Sequence, residues 1–277
     1  MADFSPKMIT SRSNPRIVDA AKLQEKKHRS RTERFFFEGH KLFSEARAAQ
    51  VPIECVIAEE HAYEKYAELF CDPTFEILVV PSSVYEKITA EQAPQGIFCI
   101  AHSLNNLKFS HTNAMTGSQL ETIITAEPGE KILICDGLRD PGNLGTVIRT
   151  ANALGFDRLI LSDDCADVYN PKTVRAAMGA LFRLQMVTTD SIPAAIAQLR
   201  ERGYDVRAAA LTEQAQPLGS YTVTEQTVFV IGNEGHGLSE ETVAACCGSV
   251  IIPMAPGAES LNAAIAASLL MWERIRI

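Results

Sequence analysis

Three loops carry the side chains whose types and spacing could do chemistry. The first, DGLRDPGNLGTVIRTANALGF over residues 136–156, places a turn at Asp140, Pro141 and Gly142 ahead of a helix. Asn143 is of the type that caps a helix start, and Gly155 of the type that ends one. Val147, Ile148, Ala151 and Leu154 form the apolar stripe between them. At about 100° per residue, Arg149 lies about 200° round from Val147 and points away from that stripe. From this helix alone it reads as a surface arginine. The second loop, IGNEGHGLSEE over residues 231–241, runs from a strand into a turn with three glycines in six residues. Glycine lets a backbone approach a ligand closely. GNEGHG has neither the lysine of a phosphate-binding loop nor the GxGxxG spacing of a dinucleotide fingerprint. Glu234 would repel a phosphate, so a positively charged ligand suits this turn better. The third stretch, residues 249–277, passes from a strand at 250–252 through Pro253 and Gly257 to Ser260, the expected N-cap of a final helix. Leu261, Ile265, Leu269 and Trp272 mark one face of that helix and alanines fill most of the rest. Such a helix is expected to be buried nearly all round, as at a subunit interface.

These loops need a rigid frame, and the surrounding pattern supplies one. Short apolar runs of buried-strand type occur at KILICDGL (131–138), RLIL (158–161), residues 184–188, residues 205–210 and VFVIG (228–232), with helices expected from Pro171 and after Pro193. Strands alternating with helices imply a mostly parallel sheet covered on both faces. Ligands in such sheets sit at the carboxyl ends of strands, which is where all three loops fall. Upstream, a smaller α/β region reads as strand (FFFEG), helix (40–49), strand (53–58), helix (61–70) and further strands near 76–80 and 96–101. The polar stretch between 103 and 129 has little periodicity. The expected organisation is therefore a domain over 1–105, a linker over 106–128 and a second domain over 129–277.

With 46% apolar and 22% charged residues in 277, the composition is that of a folded globular protein rather than a disordered one. No apolar run approaches the roughly 20 residues of a bilayer span, and the first ten residues lack the apolar core of a secretory signal. A cytoplasmic protein without membrane contact is the expectation. Seven cysteines, none in a CxxC spacing beside a histidine pair, argue against a zinc site or a disulfide framework. No metal is expected. The net charge is −8, yet ten Lys or Arg stand against four Asp or Glu between Lys7 and Lys41, a local balance of +6 that leaves −14 for the rest. Lys26, Lys27, Arg29, Arg31 and Arg34 fall within nine residues. A cluster of this kind neutralises phosphates, and RNA contact is the reading, against a solvated helix face.

Taken together, DPGNLGTVIR (140–149), GNEGHG (232–237) and IPMAPGAESLN (252–262) resemble the motifs DPxNxGxxxR, GxEGxG and IPMxxxxxSLN of the SpoU (TrmH) family of RNA 2′-O-ribose methyltransferases, and they occur in the family's order. NPKTVRAAMGALFRL (170–184) also looks like the family, and RFFFEGHKLFSEA (34–46) is similar to the small RNA-binding module that precedes the catalytic domain in many members. Ala177 stands where many relatives carry serine.

The resemblance implies an α/β fold whose C-terminal parallel sheet carries a deep trefoil knot, a SPOUT domain, which sequence pattern would not suggest because knots are nearly absent from proteins. It implies S-adenosyl-L-methionine as cofactor and a homodimer formed through the C-terminal domain. Gly232, Ile252 and Leu261 would hold the cofactor largely through backbone, with Leu211, Asn233, Gly235 and Met254 nearby. Arg149 resembles the family's catalytic arginine, with Asn143, Glu234, Ser260 and Asn262 around the reacting ribose. A separate module ahead of the catalytic domain looks more like rRNA-modifying members, so large-subunit rRNA is the expected substrate and tRNA the alternative. A non-catalytic RNA-binding protein of the same fold is the rival from another class, and cofactor binding discriminates it.

Overall fold

Unbroken apolar runs suit strands covered on both faces, and such runs form the strands of both sheets in the computed structural model, which describes residues 6–71, 74–104, 107–110, 129–233, 235–257 and 260–277. The chain divides into two units, one drawn from Met1–Leu104 and Tyr169–Phe182, the other from Asn105–Val168 and Arg183–Ile277.

The first unit contains β1 (Lys7–Met8), α1 (Pro15–Lys22), α2 (Lys26–Thr32), β2 (Arg34–Glu38), α3 (His40–Ala48), β3 (Ile53–Glu59), α4 (Glu60–Lys65), β4 (Glu76–Val80), α5 (Ser82–Tyr85) and β5 (Ile97–His102). Its sheet runs β1-β4-β3-β5-β2, parallel at β1/β4 and β3/β4 and antiparallel at β3/β5 and β2/β5. Glu38 sits opposite Phe98 and Ala58 opposite Ile97, so the carboxyl ends of β2, β3 and β4 meet the start of β5 at one edge. Ile17, Leu23, Phe36, Ile57, Leu78 and Phe98 fill the core beneath α1, with Phe36 stacked on Phe98 at 4.7 Å.

The rest of the chain contributes β6 (Leu107–Ser110), β7 (Ile132–Cys135), α6 (Pro141–Ala153), β8 (Arg158–Ser162), α7 (Pro171–Ala177), β9 (Gln185–Thr189), α8 (Ile192–Glu201), β10 (Asp205–Ala209), β11 (Gln216–Pro217), β12 (Thr227–Ile231), α9 (Glu240–Ala245), β13 (Gly248–Ile251) and α10 (Ala263–Ile275). The second unit's sheet has the order β11-β13-β10-β12-β7-β8-β9-β6, and its pairs are parallel as expected. Ile134, Ile160, Val206, Val228 and Val230 pack against Ile196 and Leu199 of α8.

Three expectations need correction. Residues 107–110, inside the stretch read as linker, form β6 at the edge of the large sheet, paired in register with β9; residues 111–128 lie outside the described residues. Residues 169–182 belong to the first unit although 129–277 was expected to form one domain. Aromatic contacts explain it: Phe35 stacks on Tyr169 at 4.5 Å and Phe37 lies tilted against Phe182 at 5.2 Å, while Arg175 pairs with Glu91. The buried Tyr169 hydroxyl also accepts the Leu104 N–H at 2.7 Å. Finally, α10 is not buried all round within the single chain. Ala263, Ala264, Ala267, Leu270 and Met271 are buried, whereas Ile265, Leu269 and Trp272 are 52%, 40% and 54% exposed.

Candidate active site

Asp140, not Asn143, caps α6: its Oδ1 accepts the Asn143 N–H at 2.7 Å, and Pro141 follows at the first helical position. Both residues are good caps, and the one that lies just ahead of the proline takes the role. The helix ends as expected, in a Schellman motif: Gly155 adopts φ +67°, its N–H reaches Asn152 O, and Phe156 N–H reaches Ala151 O. Leu144, Val147, Ile148 and Ala151 are fully buried, and Arg149 is exposed on the other side.

Asn262, not Ser260, caps α10, accepting the Ala264 and Ile265 N–H groups at 3.0 and 3.3 Å. Ser260 lies exposed two residues earlier. The other end of the Asn262 amide donates to Asn143 Oδ1 at 2.9 Å. One side chain thus fixes the start of the last helix and ties it to the first turn of α6, 119 residues away in sequence. Six residues separate Arg149 from Asn143, about 9 Å of helical rise. The Arg149 side chain makes no hydrogen bond or ion pair with another described residue. Glu234 lies outside the described residues.

The cofactor candidates gather on adjacent strands. β13, β10 and β12 are neighbours in register, so Leu211, Gly232 and Ile252 follow their carboxyl ends side by side. Leu211, Met254 and Leu261 are 89%, 43% and 38% exposed. Exposed apolar side chains beside strand-end backbone form an edge suited to a flat heterocycle with polar rims, so these residues fit S-adenosylmethionine. Gly232 is required where it stands: a Cβ there would lie 2.5 Å from the Gly237 carbonyl carbon. The Asn233 side chain holds the turn. Its Oδ1 accepts the N–H groups of Gly235 and His236, its Nδ2 donates to Gly137 O at 2.8 Å, and its backbone bridges Gly237.

A network that sequence reading missed braces this edge. Thr242 Oγ1 donates to Asp136 Oδ2 at 2.8 Å, Gly137 N–H donates to Ser162 Oγ at 2.7 Å, and Ser162 Oγ donates to Asp164 Oδ1 at 2.6 Å. Burial pushes the Asp136 carboxyl up, aided by the nearby Asp164 charge. The Ser162 hydrogen bond, then Arg139, hold Asp164 below the usual range. These residues line a recess of about 400 Å³ with Asp190 and His236. Its signal in the sequence was Asp136, the first residue after an apolar strand.

In the first unit the five cationic candidates separate into two kinds. Lys26, Lys27 and Arg31 are exposed, with the Arg31 guanidinium donating to His28 Nδ1 at 2.9 Å. Arg29 is only 4% exposed and donates to Leu23 O and Gln24 O at 2.8 and 2.9 Å. Arg34 pairs with Asp19 at 2.8 Å and Glu54 at 3.3 Å. Arg29 and Arg34 are therefore held inside the fold and are corrected from phosphate contacts to structural ones. Ala177 is fully buried in α7.

Residues 130–272 match the SpoU rRNA Methylase family model and residues 14–99 the MRM3-like substrate binding domain. The chain is 30% identical over 267 residues to the Bacillus subtilis 23S rRNA (guanosine(2553)-2′-O)-methyltransferase RlmP, covering 96% of this chain and 98% of that one. The structure of the AdoMet-bound rRNA methyltransferase from Sinorhizobium meliloti superposes with a TM-score of 0.80 at 30% identity over 98% of each chain. That of the SpoU methyltransferase AviRb from Streptomyces viridochromogenes with AdoMet gives 0.79 at 26% identity over 95% of this chain and 97% of that one. With more than half its length matched and a near full-length relative at this identity, the chain belongs to the SpoU rRNA methylase family.

Proposed function

We propose that this protein transfers the methyl group of S-adenosylmethionine to a ribose 2′-hydroxyl of large-subunit rRNA, acting as a homodimer whose C-terminal segment is knotted. The observation that carries the reading is the convergence of the second and third motifs at the carboxyl ends of β12, β10 and β13, joined to the first motif by the Asn143–Asn262 bond. When bound, S-adenosylmethionine supplies an electrophilic methyl on a positively charged sulfur. Gly232, Ile252 and Leu261 hold it through backbone, with Leu211 and Met254 against its apolar parts and Asn233 and Gly235 shaping the turn.

The ribose oxygen would form the new bond to the methyl carbon as the carbon–sulfur bond breaks, the sulfur leaving as a neutral sulfide, and the oxygen would give up its proton. Arg149 is no base, because a guanidinium is in effect always charged in a protein. It steadies the developing negative charge on that oxygen or the adjacent phosphate, while Asn143, Ser260 and Asn262 orient the ribose. The proton leaves through phosphate, water or Glu234. Lys26, Lys27 and Arg31 contact phosphates. The exposed Ile265, Leu269 and Trp272 face of α10 supports the dimer, and the near full-length likeness to cofactor-bound family members supports the knot.

The test is methyl transfer to large-subunit rRNA by wild type and Arg149→Lys, with S-adenosylmethionine affinity measured by calorimetry. Wild-type transfer, with cofactor affinity kept and most turnover lost in the variant, is expected. Near-normal turnover of Arg149→Lys sinks the role given to Arg149, and a wild type that neither binds cofactor nor methylates rRNA sinks the function.

A further inference from the structure

One end of the first unit's sheet holds a cavity of about 610 Å³ that the catalytic reading does not use. It opens where β3 and β4 end and β5 begins, and is lined by Glu59, His61, Lys65, Tyr66, Tyr85 and Gln95 among others. Its size is in the range of about 300–1,000 Å³ typical of ligand sites. Two rings stand at its rim: His40 stacks on the lining Tyr66 with centroids 4.8 Å apart and planes 13° off parallel. The Lys65 ammonium lies 5.1 Å from the Tyr66 centroid. Tyr66 is half-buried and Lys65 and His61 are exposed, so aromatic surface, cation and imidazole are all within reach of solvent.

The parts are held rather than loose. Gln95 Oε1 accepts both the His40 backbone N–H at 3.3 Å and His40 Nδ1 at 2.9 Å. An amide oxygen only accepts, so the proton of this bond is on His40 Nδ1. Gly39, at φ +96°, brings the β2–α3 turn so close that a Cβ would lie 2.7 Å from Gln95 Oε1. Gly96, at φ +74°, presses the loop that carries Gln95 onto α4, where a Cβ would lie 2.5 Å from Ala62 Cβ. The Glu59 carboxylate is engaged on both oxygens, by Ala62 N–H at 3.1 Å and Ser82 Oγ at 2.8 Å.

A stacked ring pair, an ammonium beside it and fixed polar edges within one cavity form the set of contacts that captures an unpaired nucleotide, the base stacked and its phosphate paired with lysine. We propose that this cavity binds one unpaired nucleotide of the RNA substrate, with Tyr66 as the stacking ring and Lys65 as the phosphate partner. The inference rests on the rRNA reading above and adds a second RNA contact to it. The exposed Lys26 and Lys27 lie on α2, which precedes the amino end of β2, whereas the cavity is at the carboxyl edge, about 17 Å away for a five-residue strand.

The test cross-links the full-length protein by ultraviolet light to 23S rRNA transcribed in vitro and maps the modified peptides. Filter binding of the same RNA by Tyr66→Ala, Tyr66→Phe and Lys65→Glu, and calorimetry of S-adenosylmethionine, accompany it. Expected are nucleotide adducts within residues 60–66, an rRNA affinity about tenfold lower for Tyr66→Ala, near wild-type binding by Tyr66→Phe, weaker binding by Lys65→Glu, and unchanged cofactor affinity throughout. Should Tyr66→Ala not fold, the exposed Lys65→Glu carries the comparison. Adducts confined to α2, with Tyr66→Ala and Lys65→Glu binding rRNA as the wild type does and methylation intact, would overturn the proposal alone and leave the cavity to a protein or a small molecule. A wild type that neither binds nor methylates rRNA overturns the function first and this site with it.

Discussion

Replacing Asn262 by alanine removes two things at once, and the structure lets each be sized. The cap on α10 consists of two backbone N–H groups received by Asn262 Oδ1, and losing such a cap costs about 1 kcal/mol. The bond from its Nδ2 to Asn143 lies at the surface, so its loss adds only about 0.5 kcal/mol, the low end for a neutral pair. The sum of ~1.5 kcal/mol, at roughly 2–4 °C per kcal/mol for a unit of this size, lowers the melting temperature by about 3–6 °C. Asn262→Asp separates the terms, because aspartate caps as well as asparagine and its charge suits a helix start. It should melt close to the wild type, yet the carboxylate opposes negative charge developing on the ribose oxygen, so turnover should fall roughly tenfold or more. Scanning calorimetry and single-turnover methyl transfer on the two variants decide the matter. Asn262→Ala melting with the wild type, or Asn262→Asp melting with Asn262→Ala, would refute the capping account; full turnover by Asn262→Asp would refute the placement of Asn262 beside the reacting oxygen.

Gly232→Ala has no room beside Gly237; it should break the Asn233–Gly237 bridge, cost about 1–3 kcal/mol and abolish cofactor binding in a titration calorimeter. Trp272→Glu, on the exposed face of α10, should shift the protein from dimer to folded monomer in sedimentation, and an unchanged mass would remove that face from the interface. Burial favours a higher pKa for Asp19, but hydrogen bonds from Arg34 and His28 outweigh it and hold the carboxyl below its usual value. The stability this contributes is present above the unfolded pKa near ~4 and is lost as pH falls through the lower folded value, so Asp19→Asn should flatten the acid limb of the stability–pH curve. Alkylation of the native protein at mildly alkaline pH should label the exposed Cys71 and Cys247 and spare Cys246, whose thiol burial pushes up to about 12; mass mapping checks it.

The large sheet was legible because fully buried parallel strands leave an unbroken apolar signature. ILIC, RLILS and TVFVI all became strands, and Gly155 stood out because few other residues adopt its φ. The helix starts were less legible. Asp140 and Asn143, like Ser260 and Asn262, are all good capping types within three residues of one another, and only the path of the chain selects between them. Arg34 looked like a phosphate contact because a local charge count cannot see a partner as distant as Glu54, and Arg29 because such a count ignores backbone carbonyls. The same limit hid the membership of residues 169–182 in the first unit, which depends on Phe35 and Phe37 more than 130 positions upstream. Of the site itself, the motif residues were visible as types and spacings. The Asn143–Asn262 bond and the Asp136–Ser162–Asp164 network were not, since each joins loops from separate strands and helices.

The measurement that tests the central claim most directly is transfer of labelled methyl from S-adenosylmethionine to total RNA from cells lacking this gene, followed by nucleoside analysis of each RNA fraction. A single 2′-O-methylated nucleoside in the large-subunit rRNA fraction is the predicted result. A methylated base, label confined to tRNA, or no transfer at any maturation stage with no cofactor bound would contradict it.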